Sequence, residues 1–184
     1  KVVRLRPDYA DGYTNIALTE IQWEKYGAAR VSIEKALALN PDNAGTLYYA
    51  ALLERRASNI STELADLQEV VQQYPQSRDA RRELGTSYYQ QHRYDEARAQ
   101  FEALQAIDPD DLAAHYNLAI LYRRSGMKQE AARQMAEYET RKVDPGAPTY
   151  SLDYLRQHPE LSTESVPWHM HTGLTRPLSA KGSR

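Results

Sequence analysis

The chain has 184 residues, and 41% of them are hydrophobic, which is enough to bury the core of one ordinary domain or of a short array. Its 23 Lys and Arg nearly balance its 25 Asp and Glu, so no global charge field directs it to nucleic acid or to a membrane surface. It contains no cysteine, which excludes disulfides and cysteine metal sites and leaves open a cytoplasmic or a periplasmic or secreted location. No apolar run is long enough to span a bilayer, so membrane insertion is not expected.

Prolines punctuate the chain at a constant interval. Pro7, Pro41, Pro75 and Pro109 are each separated by 34 residues. Proline ends a helix because it lacks an N–H and restricts the residue before it. Between successive prolines, apolar residues recur at steps of three and four in two separate stretches, which indicates two amphipathic helices per interval. The sequence therefore predicts an array of helical hairpins.

Apolar and small residues mark both helices of each interval, taken here in chain order. The first interval carries Tyr13, Ile16, Ala17, Ala29, Ile33 and Ala36. The second carries Leu47, Ala50, Ala51, Leu67 and Val70. The third carries Leu84, Gly85, Tyr88, Ala97, Phe101 and Leu104. A fourth interval runs from Pro109 to the displaced Pro145 and carries His115, Leu118, Ala119, Tyr122, Ala131, Met135 and Tyr138. The second interval is the least regular, because Glu63 stands where a small residue is expected.

Local signals predict where the helices begin and turn. The pairs Asp42-Asn43, Gln76-Ser77 and Asp110-Asp111 follow the interval prolines and offer N-caps for the next helix. Turns between the two helices of a hairpin are expected near Glu24-Lys25, Ser58-Asn59, His92-Arg93 and Gly126.

This pattern resembles the tetratricopeptide repeat family in four consecutive registers without an insertion. The predicted repeats are residues 10–43, 44–77, 78–111 and 112–145. The resemblance implies an all-α solenoid of helical hairpins that forms a right-handed superhelix. Residues 1–9 would then be the end of a truncated preceding repeat, so the chain is expected to be a piece of a longer protein.

The period stops after the fourth repeat. The sequence of residues 146–159 predicts a short helix between Ser151 and Pro159. We interpret this helix as the C-terminal cap of the fourth repeat. Residues 160–184 have the composition of an extended tail. Trp168 is an apolar anchor in this tail, and we expect it to dock on a repeat surface of its own chain or of a neighbour. Docking on a neighbour would give structural self-assembly as a head-to-tail oligomer or filament.

The resemblance also implies which residues line the concave face of the solenoid. The candidate partner-binding residues are Asn15, Tyr48, Tyr49, Arg55, Arg56, Arg82, Tyr89, Tyr116, Asn117, Arg123 and Arg124. Arginines among tyrosines suit an extended, acidic peptide or a partner surface, because Arg binds carboxylates bidentately and Tyr offers rigid contact area. The alternative is an ordinary solvated face. The resulting prediction is a non-enzymatic protein–protein interaction scaffold.

Some members of the family hold chaperone C-termini through a two-carboxylate clamp of Lys or Arg and Asn. Asn15 and Asn117 occupy one clamp position, but Gly45 and Tyr49 stand where basic residues belong. Chaperone binding is therefore not predicted.

Catalytic and metal-binding patterns are sparse in the sequence. Glu20 and Glu54 replace the usual aromatic residue on the first helix of their repeats, where partial burial would raise a carboxyl pKa and a nearby arginine would instead pair with it. His169 and His171 point the same way in an extended strand, but a structural zinc site needs four ligands, so no cofactor is predicted. The tail also faintly resembles the ends of bacterial repeat proteins that carry multihaem cytochrome regions upstream. An accessory module of such a redox protein, with one of these histidines on haem iron, is the third alternative.

Overall fold

The computed structural model describes residues 2–142, and every regular element in that range is a helix. The helices are α1 Val2–Leu5, α2 Ala10–Gln22, α3 Tyr26–Leu39, α4 Ala44–Arg56, α5 Ile60–Gln73, α6 Arg78–Gln90, α7 Tyr94–Ile107, α8 Leu112–Arg124 and α9 Lys128–Lys142. The predicted all-α solenoid of helical hairpins is confirmed. The predicted capping helix and tail lie outside the described residues.

The helices pair in chain order and then stack. We call α2–α3, α4–α5, α6–α7 and α8–α9 hairpins 1 to 4. The two helices of each hairpin pack most extensively on each other, and the second helix then packs on the first helix of the next hairpin. Helix α2 also packs on α4, and these contacts join neighbouring hairpins, which is the organisation of a linear repeat stack. The short helix α1 packs on α2.

Side-chain caps begin three of the hairpins, as the sequence predicts. Asn43 accepts a hydrogen bond from Thr46 N at 2.9 Å, and Asp111 accepts one from Ala114 N at 2.8 Å. Ser77 precedes α6 in the same way. Each cap satisfies an N–H group that has no partner inside the helix.

The turn inside each hairpin uses the left-handed backbone region at the predicted places. The φ angles are 58° at Glu24, 60° at Ser58, 60° at His92 and 77° at Gly126. Only the glycine adopts this region without a steric cost from Cβ. Three of these four turns are therefore strained.

Small residues allow the two helices of a hairpin to approach closely. Ala17, Ala29 and Ala97 are completely buried. A Cβ atom added to Gly85 would lie 3.0 Å from two ring atoms of Phe101, which is tighter than ordinary van der Waals contact. The large apolar side chains fill the space around these positions, and Phe101, Leu104 and Leu118 are fully buried.

Candidate partner-binding surface

The first helices of the hairpins, α2, α4, α6 and α8, carry the predicted partner-binding residues. The structure places those residues in three environments. Arg55 and Arg82 lie in ion-pair networks between hairpins, Arg56 and Arg124 lie over tyrosine rings, and Arg123 is exposed on the last turn of α8. The predicted arginines are therefore not equivalent in the charge that they offer to a partner.

A network of four polar side chains joins hairpins 2 and 3, and we call it the polar junction. Arg55 Nε donates to Glu63 Oε1 at 2.7 Å, and Arg55 Nη1 donates to Glu83 Oε2. Ser87 Oγ donates to Glu63 and accepts from Arg55 Nη2 at 3.2 Å. One guanidinium thus connects helices α4, α5 and α6.

Burial sets the electrostatics of the polar junction. Glu63 is only 2% exposed, although it occupies a position where small residues lie in the other hairpins. Desolvation by itself would lower the pKa of Arg55, but hydrogen bonds to Glu63 and Glu83 outweigh it and raise that pKa. The positive charge of Arg55 is therefore neutralised within the fold.

The equivalent places at the other junctions are largely apolar. Residues 34 positions apart occupy equivalent places, so Ser87 corresponds to Leu53 between hairpins 1 and 2 and to Leu121 between hairpins 3 and 4. Leu53 is 5% exposed and Leu121 is 1% exposed. Glu63 corresponds to the buried Ala29 and Ala97. The polar junction is the exception within the described stack.

Arg82 forms a second ion-pair network, across hairpins 3 and 4. Its Nη1 donates to Asp79 Oδ1 at 2.7 Å, and its Nη2 donates to Asp111 Oδ2 at 2.5 Å. Desolvation by itself would lower the pKa of Arg82, but the interactions with Asp111 and Asp79 outweigh it and raise that pKa. Because Asp111 also caps α8, Arg82 ties the start of that helix to α6.

Two of the predicted arginines lie against tyrosines of second helices. The guanidinium carbon of Arg56 is 4.0 Å from the centroid of the Tyr26 ring, and that of Arg124 is 3.9 Å from the centroid of Tyr94. Such cation–π contacts contribute about 0.5–1 kcal/mol at exposed sites. They position both arginines beside the turns of the hairpins.

The predicted tyrosines of α4 and α6 are mostly covered by neighbouring rings. Tyr48 and Tyr49 pack edge to face with centroids 5.5 Å apart, and Tyr49 is 7% exposed. Burial raises the pKa of Tyr48 well above its usual value, with Glu83 adding to the effect. Tyr89 packs on Tyr94 at 5.6 Å. These rings therefore contribute mainly to packing within the stack.

The first helix of hairpin 4 presents the most accessible predicted residues. Tyr116 is 44% exposed, and its ring lies 5.2 Å from that of Tyr138. Arg123 is exposed and forms no ion pair or hydrogen bond through its side chain with any other described residue. Asn117 donates to Ala113 O at 2.8 Å. At the other end of the stack, Asn15 is half-buried.

The two unusual glutamates of the first helices find polar partners. Glu20 accepts a hydrogen bond from Ser32 Oγ at 2.7 Å. Glu54 accepts from Asn59 and from Arg30, each at 2.5 Å, and these hydrogen bonds lower its pKa despite partial burial. For Glu54, the pairing alternative holds rather than a raised pKa.

Asp66 is a titratable group that the sequence pattern did not single out. Burial raises its pKa to about 6, and the nearby charge of Glu54 adds to the effect. At the equivalent position of hairpin 1, Ser32 donates a hydrogen bond to the neighbouring glutamate instead. The sequence signal for this group is an acidic residue, Asp66, at the position of Ser32, combined with a second acid, Glu54, on the preceding helix.

The structure bears on the metal, tail and membrane predictions only within residues 2–142. Within residues 2–142, no group of three or more His, Cys, Asp or Glu side chains could hold a metal ion. The weak candidates His169 and His171 and the docking residue Trp168 lie outside the described residues. In the described range, no helix combines the length and apolarity needed to cross a membrane.

Comparison with known proteins agrees with this geometry. Family models for the tetratricopeptide repeat match residues 10–43, 46–77 and 82–148. No curated protein matches the chain. The chain is similar to the crystal structure of MamA, with 19% identity and a TM-score of 0.69 over 77% of this chain and 83% of MamA. It is also similar to YrrB, described as a TPR protein with an unusual peptide-binding site, with 22% identity and a TM-score of 0.66 over 82% of this chain and 78% of YrrB.

Helical hairpins that begin every 34 residues and contact only their neighbours define a helical repeat solenoid. Within that class, the chain belongs to the tetratricopeptide repeat family. The family and its solved representatives are typically interaction modules for peptides and proteins.

Proposed function

We propose that this chain is a non-catalytic scaffold that holds an acidic peptide segment of a partner protein on its concave face. The coarser part, an interaction scaffold, follows from the family. The finer part concerns which end of the face binds. The partner's carboxylates are bound on α8 rather than at the centre of the stack.

The observation that carries this proposal is the contrast in charge neutralisation among the predicted arginines. Arg55 and Arg82 each contact two carboxylates of their own chain. Arg123 contacts none among the described residues and is exposed. A partner's carboxylate that binds Arg123 displaces only water, whereas binding to Arg55 would require breaking a network that is already complete.

Neighbouring side chains add contact area beside Arg123. Tyr116 is exposed at 44%, and Ile120 lies between the two on the same helix and is half-buried. Residues three or four apart share one face of a helix, so 116, 120 and 123 form one strip. An aromatic ring, an aliphatic side chain and a guanidinium suit a peptide in which acidic and apolar residues alternate.

The test is a binding measurement with a fluorescein-labelled peptide that alternates glutamate and leucine. Arg123→Ala should weaken binding about tenfold, because a hydrogen bond to a charged group contributes about 1.5–3 kcal/mol. The binding should also weaken as salt rises. Fluorescence anisotropy gives both dissociation constants, and circular dichroism checks that helicity is unchanged.

Arg133→Ala is the matched control. Arg133 is exposed on α9 of the same hairpin, so this variant loses the same charge from a different helix. Its affinity should stay within about twofold of the wild type. Equal weakening in the two variants would show a general charge attraction, and the proposal would then fail.

A further inference from the structure

An open cavity of about 290 Å³ lies beside the turns of hairpins 1 and 2. Its lining residues are Tyr26, Gly27, Arg30, Leu53, Arg56 and Ala57. Two guanidinium groups and one aromatic ring thus surround a space whose floor includes an apolar side chain. This cavity lies outside the strip on α8 described above.

The two arginines of the cavity are only partly engaged by the fold. Arg56 lies over the Tyr26 ring at 4.0 Å and makes no ion pair with a described residue. Arg30 donates to Glu54 Oε1 through Nη1 at 2.5 Å, and its side chain is 45% exposed. Arg30 is therefore paired with a carboxylate of the next hairpin, and Arg56 is the cation of the cavity that no described carboxylate pairs.

Hairpins 3 and 4 repeat this arrangement at equivalent positions, with two differences. One is that Tyr122 corresponds to Glu54, so Arg98 lacks the carboxylate partner that Arg30 has. Arg124 lies over Tyr94 at 3.9 Å, just as Arg56 lies over Tyr26. Arg98, which corresponds to Arg30, forms an ion pair with Asp95 at 3.1 Å.

The other difference between hairpins 1 and 3 is the residue in the first turn of the second helix. Asp95 corresponds to Gly27, so hairpin 1 lacks the carboxylate that hairpin 3 places beside its arginine. The first turn of α7 contains Asp95 and Glu96, whereas the first turn of α3 contains no acidic residue. A Cβ atom at Gly27 would meet no atom within 4 Å. Asp95 is 86% exposed, so it pairs with Arg98 at the surface, and the corresponding space beside Gly27 is open to solvent.

We propose that this cavity is a second binding site, which takes one acidic side chain of a partner's peptide segment together with the apolar side chain next to it. The carboxylate binds Arg56 and, from the exposed position that corresponds to Asp95 in hairpin 3, also Arg30. The apolar side chain rests on Leu53 and Ala57. Hairpins 2 and 3 offer no such site, because Ile60 and Gln90 replace the tyrosine and the arginine there.

Size and charge support a peptide as the occupant. A cavity of about 290 Å³ is at the small end of ligand sites, which span roughly 300–1,000 Å³, so it suits one or two side chains. Arg56, which no described carboxylate pairs, supplies a positive charge for an acidic ligand. The apolar floor distinguishes a peptide side chain from a free small anion.

The decisive variant is Gly27→Asp, which supplies the missing carboxylate from within the chain. The probe is the capped dipeptide acetyl-Leu-Glu-amide, titrated against protein labelled with ¹⁵N at the arginine side chains. In the wild type, the Nε–H signals of Arg30 and Arg56 should shift and saturate. In Gly27→Asp, affinity should fall at least tenfold while the Tm is no lower than that of the wild type, since the added side chain enters open space.

Four controls test the specificity of this binding. Arg124→Ala removes the equivalent arginine from hairpin 4, and Arg123→Ala removes the exposed arginine of the strip on α8, so both should leave the affinity of this cavity unchanged. Acetyl-Leu-Gln-amide and acetate should bind at least tenfold more weakly than the glutamate peptide. The site is overturned if the arginine signals do not shift, if Gly27→Asp binds as well as the wild type, or if acetate alone binds equally well. A loss of binding on α8 alone would instead count only against the function proposed above.

Discussion

The junction between hairpins 2 and 3 and the junction between hairpins 3 and 4 place different chemistry at equivalent positions. In the polar junction, Arg55, Glu63 and Ser87 form a hydrogen-bonded network. The residues equivalent to Glu63 and Ser87 are the buried Ala97 and Leu121, which together with Tyr89 we call the apolar junction. Backbone spacing is the same at both, since α6 and α8 begin 34 residues apart. The repeat geometry therefore does not require one kind of contact.

The polar junction can be buried because its charges and its hydrogen-bonding groups all have partners. A buried carboxylate is costly unless its oxygens accept hydrogen bonds and its charge is matched. Glu63 receives both from Arg55 and Ser87, and no buried side-chain nitrogen or oxygen in the described residues lacks a partner. The two junctions should therefore differ in how they fail when one member is removed.

The largest effect is expected from Arg55→Ala. This change leaves the Glu63 carboxylate buried without its cation, which should lower the free energy of unfolding by about 3–5 kcal/mol. Urea unfolding followed by circular dichroism measures the loss.

A triple variant provides the control for that prediction. Arg55→Tyr with Glu63→Ala and Ser87→Leu imports the residues of the apolar junction, and its stability should lie within about 1 kcal/mol of the wild type or above it. Glu83 is 24% exposed and can be hydrated after Arg55 is lost. If the triple variant is as unstable as Arg55→Ala, the missing charge partner is not the cause.

Leu121→Ala tests the apolar junction. Leu121 is 1% exposed, so its truncation should cost about 2–5 kcal/mol through lost burial and a cavity. Because no charge is involved, the loss should be the same at low and high salt, as measured by urea unfolding. The matched variant Ser87→Ala should cost less, about 1–3 kcal/mol, since it removes one hydrogen-bonding group. A larger cost for Ser87→Ala than for Leu121→Ala would reverse the comparison.

The smallest effect concerns Asp66, a partly buried acid close to Glu54. Its folded pKa of about 6 lies above the usual value of 3.8, so the folded state binds this proton more tightly than the unfolded state. Asp66 therefore does not lower the free energy of unfolding below about pH 3.8, and it lowers that free energy increasingly as pH rises through about 6. Asp66→Asn should raise stability by about 1–2 kcal/mol at pH 7.5 and hardly at all at pH 4.

Thermal unfolding at the two pH values measures this difference. Asp42→Asn is the control, because Asp42 is exposed in the turn before α4 and the change should be neutral at both pH values. An equal gain for Asp66→Asn at pH 4 and pH 7.5 would show that the amide stabilises by a route other than proton binding.

Much of the fold is predictable from the sequence because its signals are local or strictly periodic. The interval prolines, the caps such as Asn43 and Asp111, and the turn at Gly126 each depend on residues within a few positions. The family pattern then supplies the stacking.

The details of the candidate sites were less predictable because they depend on contacts between hairpins. Glu63 was visible as an irregularity, but its pairing with Arg55 and Ser87 depends on how far one hairpin is offset from the next. The partner-binding residues are predicted as one set, yet Arg82 pairs with Asp79 three residues before it and with Asp111, and the second pair depends on how hairpins 3 and 4 stack. Periodicity identifies a face, but it does not say which charges on that face are already matched.

The left-handed turns have a consequence for how this protein could be engineered. Glu24, Ser58 and His92 adopt a backbone conformation that L-residues with a Cβ atom enter only at a cost of roughly 1–2 kcal/mol each. Because each lies in a different hairpin, relieving one does not depend on relieving another, and the gains should accumulate. Glycine at these three sites should therefore raise thermostability by part of that cost, because glycine also gains backbone entropy in the unfolded chain. None of the three residues lines the cavity or lies on α8.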